Sequence, residues 1–94
     1  MTAAPAETQP EQPAAKTIKE QRAYFASQLV TLTPTERVIY DFYLEGKSTK
    51  EIMAALNIKE NTLKYHNKNI YGKLGVSSRK QLVRIAAAIQ ESDA

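Results

Sequence analysis

Apolar side chains recur along this chain at the three- and four-residue spacing of helices, and no stretch alternates apolar with polar residues as a half-buried strand would. From Thr17 onward Ile18, Phe25 and Leu29 recur at helical spacing, with Lys19, Glu20 and Gln21 on other faces. The start of the next helix is marked three ways. Thr33 is placed to cap it, Pro34 suits the first helical position because its missing N–H has no partner there anyway, and Glu36 completes a capping box. Val38, Ile39, Phe42 and Tyr43 form its apolar stripe, and Gly46 ends it. Ser48 with Glu51 repeats the box ahead of a short helix whose Ile52, Ala55 and Leu56 form one face, and Asn57 suits the left-handed position that closes it. After a tight turn, a helix over 60–74 carries Leu63, Ile70 and Leu74 inward and stops at Gly75. Ser78 and Gln81 then cap a last helix bearing Leu82, Ile85, Ala86 and Ile89. The fold class expected is all-α.

Residues 1–16 stand apart. Positions 1–15 hold five alanines, three of the four prolines and no aromatic or branched apolar side chain, so nothing there offsets the entropy of ordering. The segment reads as a disordered tail or an interdomain linker, followed by a helix over 17–30 and a domain over 32–90. With 94 residues there is room for one core. The chain has no cysteine and one histidine, which leaves no disulfide framework, no thiolate nucleophile and no zinc set, and neither metal nor cofactor is expected. No apolar run is long enough for a membrane span, and the first residues lack the basic start and apolar stretch of a secretory signal. The expected location is therefore the cytoplasm, without membrane contact by this segment.

Charge changes the picture more. The formal net charge is +3, but positions 47–84 carry nine basic side chains against Glu51 and Glu60, while both flanks are net negative. A basic block inside a folded segment suits a polyanion. It coincides with two helices joined by a tight turn, the second longer and more basic, as in helix-turn-helix proteins, where the second helix enters the major groove of DNA. On that second helix Lys64 and Lys68 are one turn apart, Tyr65 is beside them and Asn61 lies one turn earlier. Lysine donates to guanine O6 and N7 and asparagine pairs with adenine, whereas Lys73, at the far end, suits a phosphate.

The residue order sharpens this reading. LTPTE at 32–36, EGKSTKEI at 45–52, then Thr62, Lys64, His66, Asn69 and Ile70, and KLGVSSR at 73–79, together resemble the LuxR type, or GerE-like, DNA-binding domain of bacterial transcription regulators. The resemblance implies a four-helix domain, here preceded by an extra amino-terminal helix, whose third helix reads the major groove and whose fourth often forms the dimer contact. By position it puts Lys64, Tyr65 and Lys68 at bases and Thr62 and Lys73 at the DNA backbone. The family often has arginine at the position of Thr35, alanine at Met53, glycine at Asn57, serine at Lys59 and an apolar residue at Asn67. Lys59 cannot cap with a side-chain oxygen, and Asn67 is open to a packing role or a DNA contact.

His66 has no acid, nucleophile or second ligand at compatible spacing, so it reads as structural or as a backbone contact, and the chain is not expected to be an enzyme. On the last helix Val83, Ala87 and Gln90 lie on a face distinct from Leu82, Ala86 and Ile89, which fits a weak homodimer paired on two half-sites. The expected partners are double-stranded DNA, a second copy of the chain and, as a further candidate, RNA polymerase. Two other readings stand beside this one. The first is a fragment like region 4 of a sigma factor, which the KLGV ending and the helix after it disfavour. The second is a helical protein-interaction module with Ile18, Phe25 and Leu29 as its docking surface.

Overall fold

The computed structural model describes residues 17–93, and its regular elements are all helical: α1 (Ile18–Gln28), α2 (Pro34–Leu44), α3 (Thr49–Leu56), α4 (Glu60–Leu74) and α5 (Arg79–Asp93), with a 3-10 turn over Leu29–Thr31 between the first two. The expected tail at 1–16 lies outside the described residues. None of the described helices is long and apolar enough to cross a membrane.

Three capping boxes set the helix starts. The Thr33 and Ser48 hydroxyls accept from the N–H groups of Glu36 and Glu51, whose carboxylates accept in return from the cap N–H groups. A third box, Thr17 with Glu20, opens α1. Each satisfies two backbone donors that a helix start would otherwise leave open. Asn57 closes α3 at φ 55° and Gly75 closes α4 at φ 73°, both in the left-handed region. Lys59 caps α4 without a side-chain hydrogen bond. Ser78 Oγ accepts from Gln81 N–H, but the Gln81 side chain reaches back to Ser77 rather than Ser78.

One core joins all five helices. Phe25, Ile39, Ile52, Leu63, Ile70, Leu74 and Leu82 are fully buried, with Tyr40, Tyr43, Val76 and Ala86 around them. Helix α4 lies in the middle, touched by α1, α2 and α5, and α1 also packs along α5. Three expectations change. The α2 stripe runs through Glu36, Ile39, Tyr40 and Tyr43, spaced as i, i+3, i+4 and i+7, which turns Val38 outward and Tyr40 inward. Ala55 is exposed, because the two-turn α3 buries only Ile52 fully and rests Met53 and Leu56 at the margin. Phe25 belongs to the common core, so α1 does not offer it as a docking surface, and the large apolar residues of that helix left exposed are Ile18 and Tyr24.

Candidate nucleic-acid interface

The site grows out of how α4 divides its surface. Leu63, Ile70 and Leu74 bind one side of the helix into the core, and the 3.6-residue repeat then turns Asn61, Lys64, Tyr65 and Lys68 to the other side, where all four are exposed. Asn61 and Lys68 have no side-chain partner among the described residues. Lys64 Nζ lies 3.6 Å from Glu60 Oε2 one turn earlier, with both side chains mostly in solvent. The Tyr65 ring, 64% exposed, meets the half-buried His66 edge-on at 5.6 Å between centroids. Thr62 is exposed on the first turn. The surface can therefore offer an amide, two ammonium groups, a phenol and a carboxylate along one helix face.

The other two polar residues of α4 singled out by sequence are held by the fold. Asn67 is half-buried, and its Oδ1 accepts a hydrogen bond from the Tyr43 hydroxyl of α2. Burial pushes the Tyr43 phenol up from its ordinary range, the neighbouring Tyr71 adds to this, and Arg79 and Asn67 offset it in part. Lys73 Nζ donates to Glu36 Oε1 at 2.6 Å and to the Thr31 carbonyl at 3.1 Å. In the free protein that ammonium is held by the fold rather than offered to a phosphate. Burial alone would raise the Glu36 carboxyl, yet the hydrogen bonds from Lys73 and Thr33 outweigh it and hold the group below its ordinary value of 4.5.

These ties fix α4 against α2 at two places, one near the middle of the helix and one near its end. A third device steadies the turn before α3: the Arg79 guanidinium lies over the Tyr43 ring, 4.6 Å from its centroid, and donates to the Lys47 carbonyl. Sequence reasoning missed Glu36, Tyr43, Tyr71 and Arg79 as parts of this brace. The departure at Asn67 was its one visible signal, since a carboxamide at a position usually apolar needs a buried partner.

Toward the last helix, Ala87 and Gln90 are exposed, while Val83 is half-buried against the core. The proposed pairing face is thus open at two of its three positions.

A short helix, a tight turn and a longer helix with its polar face bare define a helix-turn-helix DNA-binding domain. The pattern of the bacterial regulatory proteins of the luxR family matches residues 30–86, and the chain belongs to that family. It is 38% identical over 65 residues to the "Probable transcriptional regulatory protein SgaR" of Hyphomicrobium methylovorum, covering 69% of this chain and 31% of that protein. It is 42% identical over 52 residues to the spore germination protein GerE of Bacillus subtilis, covering 55% of this chain and 70% of GerE. The transcriptional regulatory protein MctR of Rhizobium johnstonii is 42% identical over 55 residues, covering 58% of this chain and 26% of MctR. The chain thus spans about a third or less of SgaR and MctR. No solved structure matches it. DNA binding in transcription regulation follows from the family.

Proposed function

We propose that the chain binds double-stranded DNA sequence-specifically, with α4 in the major groove. What supports this is the bare face of α4, where Asn61, Lys64, Tyr65 and Lys68 stand exposed on a helix whose opposite side is locked into the core. Lys64 donates to guanine O6 and N7, Lys68 reads a neighbouring base, Tyr65 lays its ring against the groove floor and Asn61 pairs with adenine. Thr62 and His66 meet the DNA backbone at the flank of the helix. Two copies pair through Val83, Ala87 and Gln90 on a site with two half-sites.

Selection of bound sequences from a random duplex pool tests the reading, followed by affinities for the selected site and a scrambled duplex. Lys64→Ala should cost about 1–3 kcal/mol on the selected site and relax base preference at one position. An equal loss on both duplexes would show that α4 is an electrostatic surface and no more.

A further inference from the structure

Glu60 is the one acidic side chain on the bare face of α4, inside a stretch where nine cations stand against two carboxylates. A carboxylate facing DNA repels phosphate, so a helix built only for charge attraction would be better without it. Two features suit it to a different task. It stands at the first position of α4, and the N-terminal residues of a recognition helix are the ones that approach base edges. Its Oε2 is 3.6 Å from Lys64 Nζ, which puts an acceptor and a donor side by side at the ends of two exposed side chains.

The major-groove edge of a G·C pair is the complement of that arrangement. Guanine presents the O6 and N7 acceptors, and cytosine presents its N4 amino hydrogen next to them. An A·T pair places its adenine amino donor beside the thymine O4 acceptor, and a carboxylate facing O4 is repelled. We infer that Glu60 and Lys64 read one G·C pair together, Lys64 donating to guanine and Glu60 accepting from cytosine N4. The inference rests on the proposed groove docking of α4 and gives Glu60 the role of a specificity-determining residue. Discrimination then comes as much from rejecting other pairs as from holding this one.

The test uses the full chain and the selected duplex with all four base pairs at each position. Glu60→Ala should raise affinity for scrambled DNA, since a negative charge is gone, and should lower the preference for G·C at one position by about five- to a hundredfold. Glu60→Gln, which keeps an acceptor oxygen without the charge, should restore part of that preference. N4-methylcytosine at the same position keeps its pairing but loses the groove-facing hydrogen. It should weaken the wild-type protein and leave Glu60→Ala unaffected. If Glu60→Ala tightened binding to all four pairs alike, or if N4-methylcytosine weakened both proteins equally, Glu60 would be a helix-start charge and the inference would be overturned. Failure of the groove reading looks different, because the wild-type protein itself would then bind selected and scrambled duplexes alike.

Discussion

Glu36 uses one carboxylate oxygen twice: Oε1 accepts from the Thr33 N–H at 2.9 Å and from Lys73 Nζ at 2.6 Å. The first contact is written in the sequence, three residues apart in a capping box. The second joins positions 37 residues apart and has no local signature, so sequence alone, through the end-of-helix position and the family resemblance, assigns Lys73 to phosphate. Replacing Lys73 by methionine leaves a buried carboxylate short of its charged donor and should cost about 1–3 kcal/mol in urea unfolding. The pH dependence follows from the same pair. The folded carboxyl titrates below its ordinary value of 4.5 and the unfolded one near it, so ionised Glu36 contributes stability above that value and the contribution disappears as pH falls through the folded pKa. Stability measured between neutral pH and about pH 3 should therefore fall less steeply in Lys73→Met than in the wild type. Identical acid limbs in both proteins would mean that the pair does not act this way.

At the scale of elements, the helices were legible wherever caps and apolar spacing agreed: Thr33, Pro34 and Glu36 for α2, Ser48, Glu51 and Asn57 for α3, and Gly75 for the end of α4. Which face of a helix turned inward was less legible, because Val38 and Tyr40 are both apolar enough to bury and only the neighbours of α2 decide between them. Helix α1 shows the same limit. Its apolar spacing was visible, but its Phe25, packed 6.2 Å from the Tyr40 ring, is a core residue that joins α1 to the domain. Phe25→Ala should destabilise the domain by about 3–5 kcal/mol in thermal or urea melts, a large share of the total for a fold this small. Removing residues 1–16 should change neither the melt nor DNA affinity. A chain cut before residue 30 should unfold far more readily, and retention of the full melting temperature by that shorter chain would show α1 to be an appendage.

At the scale of the whole molecule stand the proposed pairing of two copies and the distribution of charge over the surface. Ala87 is exposed at the middle of α5, where a small side chain permits close approach of a second helix. Ala87→Glu should reduce affinity for a two-half-site duplex far more than for a single half-site, measured by titration, and equal effects would place the pairing surface elsewhere. Charge counted from the sequence gives nine cations between positions 47 and 84, but the folded molecule has already committed some of them. Lys73 is bound to Glu36, and Arg79 rests on Tyr43 with a hydrogen bond to the Lys47 carbonyl. Each phosphate neutralised by the protein steepens the salt dependence of DNA affinity by about 0.9 units, so Lys73→Gln should leave that slope nearly unchanged, where a phosphate contact would remove about one unit. Seen from the surrounding electrolyte, a lysine bound to its own protein displaces no counterion from DNA. The brace that holds α4 should thus also make DNA binding less sensitive to a rise in salt than the lysine and arginine count implies.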